Sequence, residues 1–253
     1  MKLSLGIITL NEENNLARCL ESCQGVVDEI VILDSGSSDG TEAIARRYNA
    51  LWHVEPWPGF VAQKNRLLQI MNSEWVLCLD ADEALSKELK QEIVGLKTSL
   101  TESTAAGYSM PRVVCYEGRW IRHGDWYPDR LVRLFKRSQG RFAGGKVHER
   151  LEITGQIIPL QSELEHYSFT GLQDHWQRCQ TYARLWAESA RDAGKRAKPW
   201  HPHTHALFRF IRGFVLRRGF LDGTLGLRIA LLSAAEVYLK YKLLRDIQDY
   251  QKK

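Results

Sequence analysis

Three carboxylates end an apolar run in the segment VLCLDADE, at residues 76–83. The acids are Asp80, Asp82 and Glu83, and the four apolar residues before them predict a short strand buried on both faces. Aspartates one residue apart repel each other unless a cation or a donor lies between them, and their hard oxygens suit Mg²⁺ or Mn²⁺. The segment therefore predicts a divalent metal site, with a phosphate group on the other side of the metal.

A purely structural role is the alternative for this segment. Asp82 or Ser86 would then be the N-cap of a following helix, because short side chains with an oxygen accept hydrogen bonds from the free backbone N–H groups of a first turn. The two interpretations differ in what they require of the rest of the chain. A metal site needs further polar groups that converge on the same place.

Strand and helix patterns alternate through the first part of the chain. Apolar runs predict strands over residues 3–9, 28–33, 51–54 and 76–79, and helical patterns run through residues 16–20, 41–48 and 61–71. This alternation is typical of a parallel sheet built from strand–helix–strand units.

The first, second and fourth predicted strands each end in polar or acidic residues. These are Thr9, Asn11 and Glu13, then Asp34, then Asp80 and Asp82. The carboxyl ends of parallel strands lie along one edge of a sheet, so we expect these groups to share one cleft. An Asp after a second strand commonly binds a sugar hydroxyl or a base edge, and a cation on Asp82 would hold a diphosphate. The pattern therefore predicts a nucleoside diphosphate ligand.

Other nucleotide-binding signatures do not occur in the sequence. It contains neither G-x-G-x-x-G nor the P-loop pattern G-x-x-x-x-G-K-[ST], which disfavours dinucleotide binding and ATP hydrolysis. A nucleotidyltransferase remains an alternative, but it would need a basic Gly-rich loop after the first strand, where this chain has the acidic TLNEENN.

From Gly107 onwards, several strand patterns follow one another without a long helix between them, which indicates an antiparallel part of the sheet. Helical patterns then cover residues 173–193 and 206–250, the second broken near 219–226, with a linker at 195–203. The predicted organisation is one α/β domain over residues 1–170, with halves at 1–100 and 107–170, and a helical extension over 171–253.

The excess positive charge of the chain lies near its C-terminus. Residues 206–253 contain ten Lys plus Arg against four Asp plus Glu, although the whole chain has a net charge of only +5. Apolar residues such as Phe208, Ile211 and Phe214 are interleaved with the basic ones, and no apolar run is long enough to span a bilayer. The segment is predicted to lie on a membrane surface; a solvated basic helix face is the alternative.

Cysteine usage and the first residues indicate the compartment. Five cysteines form no C-x-x-C pair, which favours a reduced environment. Met1 is followed at once by the strand pattern KLSLGIIT, without the basic and apolar regions of a signal peptide. We therefore expect a cytoplasmic protein, peripheral on the inner face of the cytoplasmic membrane.

Four segments, in order, resemble a known family. SLGIITLNEENNL, DEIVILDSGSSDGT, FVAQKNRLLQ and EWVLCLDADE are similar to the nucleotide-sugar half of family 2 inverting glycosyltransferases. The resemblance implies the GT-A fold, a Rossmann-like mixed sheet flanked by helices, here with a helical amphipathic tail. Downstream, RWIRHGDWYPDRLVRLFKR, GGKVHERL and ELEHYSF resemble the branch that includes the lipopolysaccharide inner-core β-1,4-glucosyltransferase, which transfers glucose onto a core heptose.

The resemblance implies roles for individual residues in donor binding. The nucleotide would be bordered by Thr9, Asn11, Glu13 and Lys64, with Asp34 on the uracil or ribose and with Asp80 and Ala81 on the ribose or donor sugar. Asp82 would bind Mg²⁺ or Mn²⁺, and a late His would complete the metal site. His166 is the first candidate for that ligand and His148 the second; a hydrogen-bonded structural histidine is the alternative for both.

Inverting transfer also needs a carboxylate that accepts the proton of the attacking hydroxyl. The family usually places an acidic pair after a Gly-rich loop, but AGGKVHE offers only Glu149. Asp129 in WYPDR is the rival base, and Asp125 is a weaker third. Three aromatic side chains between these candidates are predicted to stack on the acceptor sugar, with core packing as the alternative: Trp120, Trp126 and Tyr127.

The predicted function is therefore that of a metal-dependent hexosyltransferase. Its donor would be a UDP-sugar, by the resemblance UDP-glucose, and its acceptor a lipid-linked saccharide such as inner-core heptose. A non-catalytic membrane-surface binding module is the alternative from another class. Nucleic acid is disfavoured as a partner because an acidic cleft repels it. The histidines of HPHTH, at residues 201–205, have no acidic or Cys partner nearby in the sequence, which disfavours zinc.

Overall fold

The computed structural model describes residues 2–144 and 149–250. The chain forms two compact units, the first from Met1–Arg112 and Asp129–Tyr167 and the second from Val113–Pro128 and Ser168–Lys253. The strands are β1 (Leu3–Thr9), β2 (Glu29–Asp34), β3 (Leu51–Val54), β4 (Trp75–Asp80), β5 (Glu83–Leu85), β6 (Gly107–Tyr116), β7 (Arg119–Ile121), β8 (Asp129–Lys136), β9 (Gly140–Gly144), β10 (Glu149–Ile153), β11 (Ile157–Pro159) and β12 (Leu164–His166). The α-helices are α1 (Leu16–Cys23), α2 (Thr41–Arg47), α3 (Phe60–Ile70), α4 (Lys87–Lys97), α5 (Leu172–Asp192), α6 (His201–Phe210) and α7 (Gly223–Tyr250).

The predicted parallel sheet is present in the first unit. Its strands lie in the order β3-β2-β1-β4, and all neighbouring pairs are parallel. The register aligns Thr9 with Asp34 and Ile8 with Asp80, so the polar strand ends meet at one edge, as predicted. Apolar side chains fill both faces, and α3 packs close to β1 at Gly6, where a Cβ atom would lie 2.7 Å from Met71 Sδ.

The sheet continues with strands from the second half of the chain. β8 pairs antiparallel with β4 and with β6, and the order then runs through β12 to β5. β12 pairs antiparallel with β5, which sets His166 opposite Glu83. The predicted antiparallel part is confirmed in these pairs, although β11 runs parallel to β6. The predicted fold class, a mixed sheet flanked by helices with a helical C-terminal segment, is confirmed.

Helices dominate the second unit. α5 and α6 both pack on α7, and small residues of α5 such as Ala183 and Ala187 are fully buried. The predicted break before α7 is confirmed, since a π-helix at Ile211–Leu216 and a 3₁₀ turn at Gly219–Asp222 separate α6 from α7. No helix in the described ranges is both long and apolar enough to cross a membrane.

The linker predicted over residues 195–203 is wrong at its C-terminal end, because α6 begins at His201. Pro202 lies in the first turn of this helix, where a proline costs no hydrogen bond and its fixed φ suits the helix. The prolines therefore mark a helix start and not a continued loop. The ring of His205 stacks on Tyr241 of α7 at 4.2 Å between centroids.

Ser86 caps α4, as the structural interpretation of the acidic segment allowed. Its side chain accepts a hydrogen bond from the backbone N–H of Leu89 at 3.1 Å, and the residue is 8% exposed. The Ser86→Ala variant is expected to lose about 1 kcal/mol of unfolding free energy, the usual effect of removing such a cap. Chemical denaturation measures this, with Ser189→Ala at an exposed position inside α5 as the control; equal losses in both variants would contradict the capping role.

Candidate active site

The loops after β1 and β2 are joined by side chains that the sequence singled out. Asn11 accepts a hydrogen bond from the backbone N–H of Ser38 at 2.9 Å, and Glu13 accepts one from Gly40 at 2.8 Å. Asn11 itself has a φ of 56°, a left-handed conformation that Asn tolerates better than most residues. These contacts fix the two loops against each other at the carboxyl edge of the sheet.

Asp34 is at the centre of this arrangement and is only 1% exposed. Its carboxylate accepts hydrogen bonds from the Thr9 hydroxyl at 2.7 Å, the backbone N–H groups of Gly36 and Ser37 at 2.7 Å each, and the Ser37 hydroxyl at 2.6 Å. A carboxylate offers about four acceptor sites, so protein donors use its capacity. In this geometry Asp34 shapes the turn, and its contact with uracil or ribose stays a prediction.

Asp82 and His166, the two predicted metal ligands, lie together. His166 Nε2 is 3.2 Å from Asp82 Oδ2, because β12 pairs with β5 directly after the Asp82 turn. A hydrogen bond from the Tyr167 backbone N–H to the Asp82 carbonyl, at 2.8 Å, holds the two segments in place. His148 lies outside the described residues.

A divalent cation fits this pair. The side chains supply a carboxylate oxygen and an imidazole nitrogen, donors that Mn²⁺ accepts. Within residues 2–144 and 149–250, no cluster of three or more His, Cys, Asp or Glu side chains is arranged as a complete metal cage. Mg²⁺-type sites commonly use one or two protein ligands, with water and substrate phosphates completing the shell.

The acidic side chains of the same edge act on the neighbouring Glu12. Burial raises the pKa of Glu12, the hydrogen bond from Asn15 opposes this, and the negative charges of Asp82, Asp39 and Asp80 raise it further. Glu12 therefore experiences the negative potential of the acidic edge directly. A bound divalent ion would relieve that potential.

Asp80 belongs to a network of alternating charges beneath this edge. Its carboxylate accepts hydrogen bonds from Lys64 Nζ at 2.8 Å and from the Arg133 guanidinium at 2.5 Å. The same Arg133 nitrogen donates to Glu83 Oε1 at 2.6 Å, and Glu83 has a fully buried side chain. Glu83 also accepts the backbone N–H of Asp80 at 3.1 Å. Each buried charge in this group thus has an opposite charge or donor beside it.

The two rival catalytic bases are at opposite ends of the network. Lys64 Nζ is 3.2 Å from Glu149 Oε1, and Arg112 joins Glu83, at 3.1 Å, to Asp129, at 2.7 Å. Glu149 is thereby linked to Asp80 through one cation. Asp129 is linked to Glu83 through another.

The contact between Asp80 and Arg133 lowers the pKa of the acid and raises the pKa of the base. Burial alone would raise the pKa of Asp80, but the charges of Arg133 and Lys64 outweigh it and hold this pKa well below its usual range. Burial alone would lower the pKa of Arg133, but the negative charges of Asp80 and Glu83 outweigh burial and raise this pKa above its ordinary value. Asp80 and Arg133 are therefore both ionised, and the pair is fixed in its charged form.

The sequence did not predict the charge network itself. Its unpredicted members are Arg133, Arg112 and the buried Glu83. Arg133 interrupts the apolar run of RLVRLFK in β8, and its inward-facing position was the available signal. A basic residue at a core position of a strand needs a buried acid as its partner. The partner was not identifiable, because the pairing of β8 with β4 is long-range.

The predicted acceptor aromatics lie in the second unit. The Trp126 ring stacks on Phe169 at 5.0 Å between centroids and lies near Tyr116 and His175, which is the core-packing alternative. Trp120 is half-buried in β7 and Tyr127 precedes Pro128. Their contact with a sugar stays a prediction. Ala81, in the first unit, is buried between Asp80 and Asp82, and its contact with the donor also stays a prediction.

Asp125, the weakest candidate base, has a clear structural role. Its side chain is 5% exposed and contacts Arg209 at 2.8 Å, Arg212 at 3.0 Å and Arg217 at 3.3 Å. Three guanidinium groups therefore surround this one carboxylate and engage its oxygens in ion pairs. Glu149 and Asp129 therefore remain the two candidates.

Comparison with known proteins identifies relatives of this chain. The Glycosyl transferase family 2 profile matches residues 4–151. An uncharacterized glycosyltransferase of Rickettsia prowazekii is 29% identical, covering 97% of this chain and 87% of the relative. The lipopolysaccharide core biosynthesis glycosyltransferase LpsC of Rhizobium meliloti is 31% identical, covering 96% of this chain and 94% of the relative. The solved structure of S. aureus TarS with UDP-GlcNAc covers 100% of this chain and 92% of its own at 15% identity, with a TM-score of 0.49.

The family match extends over more than half of the chain and contains the strand-end residues, the charge network and both candidate bases. The LpsC alignment continues through β12 and the helices of the second unit. Because the sequence matches are this extensive, the family does not depend on the structural overlap. This chain belongs to glycosyl transferase family 2.

Proposed function

We propose that the protein transfers glucose from UDP-glucose, with inversion, onto a lipid-linked saccharide, the heptose of a lipopolysaccharide inner core. The observation that carries the proposal is the pairing of Asp82 with His166 at the carboxyl edge of the parallel sheet, beside the ionised Asp80. This edge is where α/β sheets bind nucleotides. A carboxylate and an imidazole there suit a metal-bound diphosphate.

The proposed acceptor and donor have different support. The relative LpsC is named for lipopolysaccharide core biosynthesis and aligns over nearly its whole length, which supports a core saccharide as acceptor. UDP-glucose and heptose are supported by the resemblance of RWIRHGDWYPDRLVRLFKR and ELEHYSF to the glucosyltransferase branch. The basic, apolar C-terminal helices would hold the enzyme on the inner face of the cytoplasmic membrane, where a lipid-linked acceptor is exposed.

Asp82 and His166 would hold Mg²⁺ or Mn²⁺ in this reaction. The bound ion would supply Lewis-acid stabilisation of the leaving diphosphate. Lys64 and Arg133 hold the Asp80 carboxylate in place, and Asp80 would contact the ribose or donor sugar from this position. The loops joined by Asn11 and Glu13 would border the base and ribose.

The attacking hydroxyl of the acceptor must lose its proton as the new glycosidic bond forms. We assign this proton to Glu149, at the start of β10, and keep Asp129 as the rival. Lys64 orients the Glu149 side chain from a distance of 3.2 Å. Asp129 is held more tightly, since Arg112 donates to the same oxygen through Nε at 3.2 Å and a terminal nitrogen at 2.7 Å.

The Glu149→Gln variant is expected to lower kcat by about 10²–10⁴-fold, the usual contribution of a general base, with little change in the KM for the donor. Steady-state kinetics of transfer measure both constants. Glu152→Gln, on the same strand and 48% exposed, is the control and should retain normal kcat. A normal rate in Glu149→Gln with a large loss in Asp129→Asn would instead make Asp129 the base.

The reaction itself is tested with purified lipopolysaccharide whose core ends in heptose, supplied with UDP-glucose and Mn²⁺ or Mg²⁺. We expect one added glucose per acceptor by mass spectrometry, and nuclear magnetic resonance of the product should show the β-anomer formed from the α-linked donor. A product with retained configuration would contradict the single-displacement mechanism. Transfer of a different sugar would correct the donor and leave the reaction class in place.

A further inference from the structure

Exposed apolar side chains are concentrated where the second unit turns from α6 back into α7. We call residues 207–221 the hairpin tip; it comprises the end of α6, the π-helix and most of the 3₁₀ turn. Large apolar side chains that are 40–67% exposed occupy seven of its positions: Leu207, Phe208, Ile211, Val215, Leu216, Phe220 and Leu221. A concentration of exposed apolar side chains in one short segment is typical of an interaction surface.

The hairpin tip is firmly held by charged groups on its inner side. Arg209, Arg212 and Arg217 converge on the buried Asp125 carboxylate at 2.8–3.3 Å. At the end of the tip, Asp222 accepts the backbone N–H of His123 at 2.9 Å and contacts the His123 ring at the same distance. The inner contacts therefore anchor the tip and leave its apolar side chains facing outwards.

Close backbone packing also holds the end of the tip against α7. A Cβ atom on Gly226, in the first turns of α7, would overlap with the carbonyl oxygen of Gly219. Only glycine fits there, so α7 and the 3₁₀ turn are locked in contact. This close approach fixes the backbone of the 3₁₀ turn against α7 in the segment that carries the exposed side chains.

The charge of the tip indicates what covers it. Residues 207–221 contain four arginines and neither Asp nor Glu. Asp125 neutralises one of these charges and Asp222, directly after the tip, offsets another, which leaves an excess of two positive charges beside seven exposed apolar side chains. Arginine next to apolar and aromatic side chains is the composition of segments that lie in the interface of an anionic bilayer.

We propose that the hairpin tip is the membrane-docking element of this protein, with its apolar side chains inserted among the lipids of a bilayer that contains anionic phospholipid. The inference rests on the proposed function in one respect, since a lipid-linked acceptor requires a membrane surface. It deepens that function by assigning the contact to residues 207–221 and not to the basic C-terminal half of α7. Insertion of apolar side chains also makes part of the binding independent of salt, unlike attraction by charge alone.

Vesicle sedimentation tests the proposal with the full chain. Wild-type protein should bind vesicles of phosphatidylcholine with phosphatidylglycerol, and a fraction should stay bound at high salt. Replacing Leu216 and Leu221 together by Ser should weaken binding by about tenfold or more, since two exposed leucines lose their burial in lipid. The matched control replaces Leu172 and Leu185 of α5, which are 47% and 40% exposed, by Ser and should bind normally.

A second pair of variants tests the charge. Arg218→Glu, in the tip, should weaken binding to phosphatidylglycerol vesicles, whereas Lys242→Glu in the distal part of α7 should not. The proposal is overturned if the leucine variant binds as tightly as wild type, or if the α5 control loses binding to the same extent. Circular dichroism and thermal melting establish that each variant is folded.

The same experiment distinguishes this proposal from its alternatives. A protein that does not bind vesicles but forms a dimer in light scattering, lost in the leucine variant, would assign the tip to a second copy of the chain. Sedimentation needs neither donor nor acceptor, so its failure leaves the glycosyl-transfer proposal standing. Conversely, vesicle binding without release of nucleoside diphosphate from any donor would retain the docking element and refute the reaction.

Discussion

The Asp82→Ala variant is expected to lose transfer activity by about a hundredfold to a thousandfold or more, because stabilisation of the negative charge on a leaving group has this order of effect. Asp82 supplies the carboxylate of the pair with His166, at the edge where the polar strand ends converge. Without it the site keeps one imidazole nitrogen from this pair. The metal-dependent part of donor binding should disappear with the activity.

Calorimetric titration with UDP, in the presence and absence of Mn²⁺, measures the binding part of this prediction. Wild-type protein should bind UDP more tightly with the metal, and Asp82→Ala should show the same weak binding in both conditions. Asp192→Ala, an exposed aspartate of α5, is the control for loss of one negative charge. A metal-dependent gain in UDP affinity that survives in Asp82→Ala would exclude Asp82 as a ligand.

The Arg133→Met variant is expected to lose unfolding free energy, up to about 3–5 kcal/mol, because it removes one of the two cations beside the buried Glu83 and beside the partly buried Asp80. Arg133 is 8% exposed and bridges Asp80 to the fully buried Glu83 side chain. Methionine fills a similar volume, so the loss reports the missing charge and not a cavity. Activity should fall as well, since Asp80 loses one of the two cations that orient it.

Urea denaturation of Arg133→Met measures this loss, with Arg150→Met as the control. Arg150 pairs with Glu152 at the surface and is 70% exposed, so its replacement should change stability by less than about 1 kcal/mol. Equal stability of the two variants would contradict a structural role for the buried network. Aggregation of Arg133→Met during expression would support that role and can be quantified by thermal melting of the soluble fraction.

The same network gives stability a pH dependence with a definite sign. The pKa of Asp80 is depressed in the folded protein, so its ionised form stabilises the fold in full above the ordinary aspartate pKa of about 4. This contribution declines as the pH falls from there towards the depressed folded-state value. Arg133→Met weakens the cause of the depression, so its stability should depend less on pH in the acidic range than that of wild type.

The parallel part of the fold was predictable because its signals are local. Apolar runs ending in Thr9, Asp34 and Asp80 define both the strands and the direction in which their polar ends point. A parallel register then brings those ends together without further information. The pairing of Asp82 with His166 required one more step, because His166 was a candidate through the family resemblance and not through a local pattern.

The charge network was not predictable in the same way. Arg133 meets Asp80 and Glu83 because β8 inserts antiparallel beside β4, more than fifty residues after it in sequence. No local pattern specifies that neighbour or its register. The helical position of His201–His205 was not predicted for a local reason. Prolines usually indicate a loop, but Pro202 lies in the first turn of α6.

The site is proposed to bind and activate a nucleoside diphosphate sugar with a divalent cation. The most direct measurement is release of nucleoside diphosphate from a panel of nucleotide sugars, with Mn²⁺, with Mg²⁺ and with a chelator, for wild type and Asp82→Ala. We expect release from one UDP-sugar, which requires the metal and disappears in the variant. Equal release with the chelator, or equal release by Asp82→Ala, would contradict it.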